Sequence, residues 1–210
     1  ARYSGAKYAV AVSSGTAALQ AAYFAAGIGS GAPRENLVLG TQNEIIVSPM
    51  TFAATTNATI WQGAKPVFVD VEYGTGNIDA KLIEKKITKK TKAIVAVDYS
   101  GLPCDYDALK KVAKRNKLIL ISDAAHSLGA EYRGQMVGSL ADMTTLSFHP
   151  VKSITTGEGG AVLTDNEEYY KRLLLFRSHG ITKEQKNFIN ISDGPWYHEM
   201  QELGLNYRMT

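Results

Sequence analysis

Short hydrophobic runs rich in valine and isoleucine alternate along this chain with longer segments whose apolar residues recur at helical spacing. The runs have the length and β-branched composition of strands, and the longer segments have the periodicity of helices. We predict strands at residues 8–12, 43–48, 66–71, 92–99, 118–124, 143–148 and 160–165. We predict helices at 15–27, 52–63, 79–87, 105–116 and 166–180, and an irregular surface insertion at 181–195. Asp79, Asp105 and Asn166 are the expected N-caps of the last three helices.

Several of the predicted strands lack a clean alternation of apolar and polar residues. The runs AIVAV at 93–97 and LILI at 118–121 are apolar on both faces, as expected for strands that are covered on both sides. Together with the alternating order of strands and helices, this indicates an α/β fold with one mostly parallel sheet and helices on both faces. Ligands of such sheets bind beyond the carboxyl ends of the strands, so we expect chemistry directly after each strand.

Composition and charge exclude only a few classes of function. The 210 residues are 45% hydrophobic and 20% charged with a formal net charge of +3, which gives no reason to expect a nucleic-acid partner. The basic run at 81–92 contains glutamate and predicts a solvated face. The chain has a single cysteine, Cys104, which excludes a disulfide framework. We expect Cys104 to be a small filler residue, that is, one that packs in the fold rather than reacting as a nucleophile. The chain has no apolar run of about 20 residues and no signal-peptide pattern, so we expect a cytoplasmic protein with no membrane partner. We also expect no metal site.

Two candidate groups follow the first two predicted strands. Ser14, Gly15 and Thr16 stand where a helix begins, and the free amide groups and dipole of a helix start favour a bound anion. Taken alone, this run is more often only an N-cap. Phe52 follows the second strand, and it is either a core residue in the first turn of a helix or an aromatic ring at the same edge of the sheet.

Two further groups follow the strands at 118–124 and 143–148. Asp123 is a carboxylate beside a buried strand, which is costly without a partner, although a plain N-cap explains it equally well. His126 is more often a structural histidine than a catalyst. Ser147 and Lys152 lie in the run SFHPVKSITTGEGG, where partial desolvation favours a neutral, nucleophilic amine. The glycines at 157–160 would let the backbone turn beside a ligand.

The shared location of these groups is more specific than any one of them. An anion cradle, a flat aromatic ring, a buried carboxylate and a nucleophilic lysine are together what pyridoxal phosphate requires. The carboxylate keeps the ring nitrogen protonated, and the lysine reacts with the aldehyde. A charge pair about 4 Å apart gains about 4 kcal/mol at an effective dielectric constant of about 20, which is enough to hold that proton at neutral pH. The sequence therefore predicts a pyridoxal-phosphate site at the carboxyl edge of the sheet.

Six stretches of the sequence together resemble the DegT/DnrJ-type nucleotide-sugar aminotransferases, which have the aspartate aminotransferase fold. They are SSGTAAL, NEIIVSPMTFAATTNA, KPVFVDV, SDAAHSLGAEY, LSFHPVKSITTGEGGAV and LGLNYRM. The resemblance runs over essentially the whole chain and implies the large domain of a pyridoxal-phosphate-dependent transferase of fold type I. Residues 1–210 would form this cofactor-binding domain, incomplete at its amino terminus and without the small carboxyl-terminal domain.

The resemblance also implies a role for each matching residue. Lys152 matches the family's Schiff-base lysine, and Asp123 matches the partner of the ring nitrogen. Phe52 matches the aromatic residue that stacks on the ring, and His126 falls beside the ring. The positions that bind the cofactor's phosphate are matched by Ser14, Gly15, Thr16, Ser147 and Asn206. The last of these would reach the phosphate from the other subunit of a homodimer, so that two chains share each active site.

By the same resemblance, the expected reaction moves an amino group from L-glutamate to C4 of a UDP-linked 4-keto-6-deoxy-N-acetylhexosamine. The stretches GNIDAKLIEKKI, TKAIVAVDYSG and LLFRSHGI are similar to the branch of the family that serves pseudaminic acid synthesis. Two alternatives stay open, an aminotransferase for another nucleotide-linked keto sugar and a non-catalytic sugar- or phosphate-binding domain in which Lys152 is only a counter-ion. Sugar dehydratases of this fold carry histidine in place of Lys152, which argues against a dehydratase.

Overall fold

The computed structural model describes residues 1–29, 43–190 and 194–209. Within them the strands are β1 (Tyr8–Val12), β2 (Glu44–Val47), β3 (Lys65–Phe68), β4 (Thr91–Val97), β5 (Ile119–Asp123), β6 (Glu131–Tyr132), β7 (Gln135–Met136), β8 (Met143–Ser147), β9 (Gly160–Thr164), β10 (Ile181–Thr182) and β11 (Glu199–Met200). The α-helices in the same ranges are α1 (Gly15–Ala25), α2 (Ala53–Trp61), α3 (Ala80–Ile83), α4 (Tyr106–Asn116) and α5 (Glu167–Arg177).

Seven of these strands form one sheet in the order β1-β9-β8-β5-β4-β2-β3. The pairs from β8 to β3 are parallel, and β9 is antiparallel to both of its neighbours. Six strands therefore run in one direction, which confirms the predicted mostly parallel sheet. The ends of β1, β2, β4, β5 and β8 and the start of β9 consequently share one edge.

Two hydrophobic layers cover the two faces of this sheet. Apolar side chains of α1, α2 and α5 pack on one face, and those of α3 and α4 pack on the other. Within β4 the successive residues Ile94 and Val95 belong to opposite layers, and both are fully buried. The alanine-rich α1 is buried from Ala17 to Ala25, because its many alanines let it lie close against the sheet. This packing fixes the start of α1 at the carboxyl edge.

The three predicted N-caps are confirmed by side-chain hydrogen bonds. Asp79 accepts a hydrogen bond from the Lys81 amide, and Asp105 accepts one from the Ala108 amide. Asn166 accepts hydrogen bonds from the first turn of α5. Each oxygen satisfies an amide group that has no partner within its own helix, so these boundaries follow from local chemistry.

Three predicted elements differ from the structure. Strand β3 ends at Phe68, three residues before the predicted end, because the chain then turns back so that Val71 bridges Ile78. The helix predicted at 79–87 is only α3 followed by a tighter 3-10 turn, a common form of a helix end. The region 181–195 is not wholly irregular, since β10 pairs with β11. Its residues 191–193 lie outside the described ranges.

The other predictions from composition and charge concern which residues are exposed to solvent. The lysines of the run at 81–92 are exposed, which confirms a solvated face. Cys104 is fully buried, and its thiol donates a hydrogen bond to the Val97 carbonyl, while burial raises the pKa of the thiol. This confirms a filler residue rather than a reactive one. Within the described ranges no helix is both long enough and apolar enough to cross a bilayer.

Candidate active site

A cavity of about 320 Å³ lies at the carboxyl edge of the sheet. Its volume falls within the usual range of small-molecule sites, about 300–1,000 Å³. Eight of the nine predicted site residues line it, namely Ser14, Gly15, Thr16, Phe52, Asp123, His126, Ser147 and Lys152. The ninth, Asn206, does not. The convergence follows from the sheet topology, because each of these residues lies at the end of a strand or shortly after a strand that ends at this edge.

The turn from β1 into α1 forms the anion cradle. The Ser14 hydroxyl accepts a hydrogen bond from the Ala17 amide at 3.0 Å, so Ser14 is also the N-cap of α1. The amides of Gly15 and Thr16 have no acceptor within the described part of the chain, as is usual for the first residues of a helix. The Ser147 side chain lies directly beside Gly15. Two free amides, the hydroxyls of this turn and a helix dipole thus converge on one end of the cavity.

Alanine at position 15 should disrupt this cradle. The added Cβ atom would lie 2.7 Å from the Ser147 Cβ, so α1 must move away from β8. We expect the free energy of unfolding to fall by about 1–3 kcal/mol and the affinity for pyridoxal phosphate to fall with it. Urea unfolding and cofactor titration of the full-length protein measure both effects. Gly74→Ala is the matched control, since nothing lies within 4 Å of a Cβ atom there. An equal loss in the control would contradict the steric explanation.

Asp123, the last residue of β5, is a buried carboxylate with 6% exposure. Its Oδ2 accepts a hydrogen bond from the Thr55 hydroxyl at 2.7 Å, and its Oδ1 accepts one from the Ala125 amide at 3.3 Å. Burial raises the pKa of Asp123, while these two hydrogen bonds and the positive charges of Lys152 and His126 lower it. No helix begins at this point, so the N-cap explanation of Asp123 is wrong. With one protein donor on each oxygen, the carboxylate retains acceptor capacity in the cavity.

The lysine lies on the loop that joins β8 to β9. Lys152 is half-buried, and its backbone amide donates to the His149 carbonyl at 2.9 Å. The loop closes on itself because the amide of Thr156 and the hydroxyl of Thr155 both donate to the Phe148 carbonyl, at 3.1 and 3.0 Å. The hydroxylated residues of the run therefore shape the loop that carries the amine into the cavity.

The glycines of this run have two different functions. Gly157 has a φ of +76°, a left-handed conformation that a tight turn requires and that glycine adopts without strain. Gly160 has no such angle, but a Cβ atom there would lie 2.5 Å from the Ser14 carbonyl oxygen. The lack of a side chain at Gly160 therefore lets the start of β9 pack closely against the backbone of the cradle, at the start of α1.

Phe52 and His126 lie at the mouth of the cavity. Phe52 is the residue before α2 and is 80% exposed, so the prediction of a core phenylalanine is wrong and a free ring face is available. His126 is exposed, and partial desolvation and the nearby Lys152 ammonium lower its pKa while Asp123 opposes them.

Asn206 lies in an extended segment outside this cavity. Its backbone forms a bridge with Ser178, and the carbonyl of the next residue, Tyr207, accepts a hydrogen bond from the Ser13 amide at 2.9 Å. The Asn206 side chain is exposed. Its contribution to a second copy of the chain stays a prediction.

The sequence interpretation missed Thr55 and Asp98, which both line the cavity. Asp98 is 1% exposed and accepts hydrogen bonds from the Cys104 amide, the Tyr106 hydroxyl and the Ser127 hydroxyl, while burial raises its pKa. It ties the turn after β4 to the turn that carries His126. Like Asp123, Asp98 is an aspartate at the end of an apolar run, and this pattern could have identified it. Thr55 has no comparable pattern in the sequence.

The donors and acceptors of this cavity fit pyridoxal phosphate. Amides and hydroxyls for a phosphate lie at one end, at Gly15, Thr16 and Ser147, and Asp123 offers a buried acceptor for a protonated ring nitrogen. An exposed aromatic face and the Lys152 amine complete the set. Each chemical feature of the cofactor thus has a counterpart in the same cavity.

Comparison with known proteins gives a family match and close relatives. The DegT/DnrJ/EryC1/StrS aminotransferase family matches residues 1–210. The chain is 43% identical over 211 residues to the UDP-4-amino-4,6-dideoxy-N-acetyl-beta-L-altrosamine transaminase of Campylobacter jejuni, covering 99% of this chain and 50% of that protein. It is 39% identical over 204 residues to the GDP-perosamine synthase of Escherichia coli O157:H7, covering 97% and 50%. The chain thus spans about half the length of the curated relatives it matches.

Two solved structures have the same fold. Helicobacter pylori PseC, an aminotransferase involved in the biosynthesis of pseudoaminic acid, superposes with a TM-score of 0.85 at 36% identity, covering 99% of this chain and 51% of that one. The PLP-form of the putative sugar aminotransferase Spr1654 of Streptococcus pneumoniae superposes with a TM-score of 0.84 at 32% identity, covering 100% and 53%. The fold predicted from the sequence is therefore confirmed.

Proposed function

This chain belongs to the DegT/DnrJ/EryC1/StrS aminotransferase family, and on that premise we propose that the protein transfers an amino group to a nucleotide-linked keto sugar with pyridoxal phosphate as cofactor. The observation that carries the proposal is the meeting of Lys152, Asp123 and the Ser14–Thr16 turn in one cavity. A phosphate-binding domain needs the turn alone. The Lys152 amine could serve such a domain as a counter-ion, but the buried Asp123 carboxylate would repel a phosphate, whereas it suits a protonated ring nitrogen.

Each lining group has a defined task in this proposal. The Gly15 and Thr16 amides and the Ser147 hydroxyl bind the phosphate of the cofactor, and Phe52 covers its ring. Asp123 accepts the hydrogen bond of the protonated ring nitrogen and stabilises that positive charge. When bound, pyridoxal phosphate supplies the electron sink for charge that develops at the carbon bearing the amino group.

Lys152 has two tasks that use the same amine. It would hold the cofactor covalently at rest, and its amine would become free once an amino donor has taken its place. The free amine would then move a proton from the amino-bearing carbon of the donor to the cofactor, acting first as a general base and then as a general acid. Its place on a loop closed by its own hydrogen bonds would hold the amine at the cavity for both tasks.

For the substrates, we propose L-glutamate as donor and C4 of a UDP-linked 4-keto-6-deoxy-N-acetylhexosamine as acceptor. The support is the similarity to the Campylobacter jejuni transaminase and to PseC. A second candidate is another nucleotide-linked keto sugar, because the chain is nearly as similar to a GDP-perosamine synthase. We further propose a homodimer in which the exposed Asn206 reaches the phosphate site of the partner copy.

The full-length protein should convert more than one equivalent of glutamate per active site to 2-oxoglutarate only when a nucleotide 4-keto sugar is present, because the cofactor can hold only one amino group until an acceptor removes it. A panel of UDP- and GDP-linked 4-keto sugars, with products identified by mass spectrometry and NMR, tests this. We expect amination at C4 of the UDP-linked N-acetylated sugar. Turnover of the GDP-linked sugar alone would select the second candidate. A protein that binds the cofactor but aminates no sugar nucleotide would contradict the proposed substrate class.

A further inference from the structure

The hydroxyl of Thr55 connects helix α2 to the carboxylate at the end of β5. Thr55 is 1% exposed, and its Oγ1 lies 2.7 Å from Asp123 Oδ2, although the two residues are 68 positions apart in the sequence. Both side chains line the candidate active-site cavity. The contact therefore joins two separate elements at the point where the site needs a fixed carboxylate.

The direction of the hydrogen bonds follows from the number of protons. An ionised carboxylate only accepts, so Thr55 must donate its single hydroxyl proton to Asp123. The Thr51 hydroxyl lies 2.7 Å from the Thr55 oxygen, and Thr55 has no second proton to give. Thr51 is therefore the donor in that contact. The result is a directed chain from Thr51 through Thr55 to Asp123, in which each bond polarises the next.

Thr55 differs from the other threonines of α2. A helical threonine usually donates its hydroxyl to a carbonyl in the preceding turn. Thr56 donates to the Ala53 carbonyl at 3.0 Å, and Thr59 donates to the Thr55 carbonyl at 3.2 Å. The Tyr23 hydroxyl donates to that same carbonyl at 3.1 Å. Two hydroxyl groups thus hold the Thr55 carbonyl. The Thr55 hydroxyl, unlike those of Thr56 and Thr59, bonds to a side chain outside the helix.

The Thr55 hydrogen bond also acts on the charge of Asp123. Burial raises the pKa of Asp123, and the Thr55 hydrogen bond is the strongest of the effects that oppose it, ahead of the Ala125 amide and the charges of Lys152 and His126. Tyr23, buried nearby, has its own pKa raised by burial and by the Asp123 charge, so it stays a neutral donor. Among the described residues, the fixed uncharged donor to Oδ2 is Thr55.

We propose that Thr55 is a positioning residue, which holds the Asp123 carboxylate in one orientation as the ionised acceptor for the protonated ring nitrogen of the cofactor. This inference rests on the proposed function. Thr55 touches the carboxylate through Oδ2 and leaves Asp123 with one protein donor per oxygen. Loss of the hydroxyl would leave a buried carboxylate with one donor fewer, free to rotate and easier to protonate.

Thr55→Val tests the proposal, because valine keeps the shape of threonine and removes the hydroxyl. The full-length holoenzyme is prepared with cofactor labelled with ¹⁵N at the ring nitrogen, whose chemical shift reports whether that nitrogen is protonated. We expect a protonated nitrogen at neutral pH in the wild type and a shift toward the unprotonated form in Thr55→Val. Cofactor affinity should fall about 10- to 100-fold, the range for a lost hydrogen bond to a charged group. Thr55→Ser should restore both values.

Thr56→Val is the matched control, since it removes a neighbouring hydroxyl of the same helix that stays within the helix. Wild-type nitrogen shift and affinity in Thr55→Val would overturn the proposal, and so would equal losses in Thr55→Val and Thr56→Val, which would indicate only a weaker helix. If Thr55→Val does not fold, Thr51→Val removes the upstream donor and should give a smaller shift in the same direction. A Thr51→Val variant without this smaller shift would also overturn the proposal. A wild-type protein that binds no cofactor would instead overturn the proposed function itself.

Discussion

Alanine in place of Lys152 is expected to abolish covalent capture of pyridoxal phosphate and to remove nearly all amino transfer by the full-length protein. The variant lacks the amine that bonds the cofactor and moves the proton, while the cradle and Asp123 remain. Turnover should fall by at least about 10²- to 10⁴-fold, the usual contribution of a positioned general acid–base. Borohydride reduction followed by peptide mass spectrometry should find the cofactor on Lys152 of the wild type and nowhere on the variant.

Two further variants separate this expectation from simpler explanations. Lys92→Ala removes an exposed lysine of β4 and should leave capture and turnover unchanged. Lys152→Arg keeps a positive charge but offers no nucleophilic amine, so it should be as inactive as the alanine variant. If the wild type captured no cofactor and Lys152→Arg bound a nucleotide sugar as tightly as the wild type, the lysine would be a counter-ion and the protein a binding domain.

The elements of the sheet could be predicted because burial on both faces leaves a clear pattern. The apolar run at 93–97 needs two covered faces, and the structure supplies them as two separate hydrophobic layers. The reversed direction of β9 could not be predicted in this way. Its residues are all buried, as are those of the parallel strand β2, so its hydrophobic pattern carries no information about direction. The early end of β3 precedes a bridge from Val71 to Ile78, which the hydrophobic pattern of residues 66–71 does not indicate.

Much of the candidate site was predictable because strand ends converge at one edge of a parallel sheet. That rule alone predicts the positions of Lys152, Asp123 and the Ser14–Thr16 turn from the sequence. Thr55 was not, because it lies inside a helix where threonine has several local hydrogen bonds available. Its function depends on a partner 68 residues away that only the fold brings near. Residues that support a catalytic group from a helix are therefore the part of this site that sequence patterns conceal.

Asp123 shows why such support is necessary. A fully buried carboxylate costs stability unless it is hydrogen-bonded, and its cost is offset here by Thr55 and Ala125 and, in the holoenzyme, by a positive ring nitrogen. Without the cofactor, the contribution of the positive ring nitrogen is missing. The apoenzyme should therefore carry an electrostatic penalty at the residue that the proposed reaction needs.

Asp123→Asn is accordingly expected to stabilise the apoenzyme at neutral pH and to reduce amino transfer by about 10²- to 10⁴-fold, because asparagine is neutral and cannot hold the proton on the ring nitrogen. The pKa of Asp123 is raised in the folded state, so its favourable contribution is complete below the unfolded pKa of about 3.9 and is lost as the pH rises through the folded value. The stability gain of the variant should thus be largest at neutral pH and shrink as the solution is acidified. Urea unfolding of both apoproteins between neutral and acidic pH measures it.

Asp107→Asn is the control, since this partly exposed carboxylate lies on α4 and pairs with Arg133 at the surface. Surface substitutions of this kind usually change the free energy of unfolding by no more than about 0.5 kcal/mol, so we expect neither a gain at neutral pH nor a loss of turnover. If Asp123→Asn destabilised the apoenzyme equally at every pH, the Thr55 and Ala125 hydrogen bonds would already compensate the buried charge in full. If it stabilised the apoenzyme and yet retained wild-type turnover, the ring nitrogen would need no carboxylate, and Asp123 would have no catalytic role.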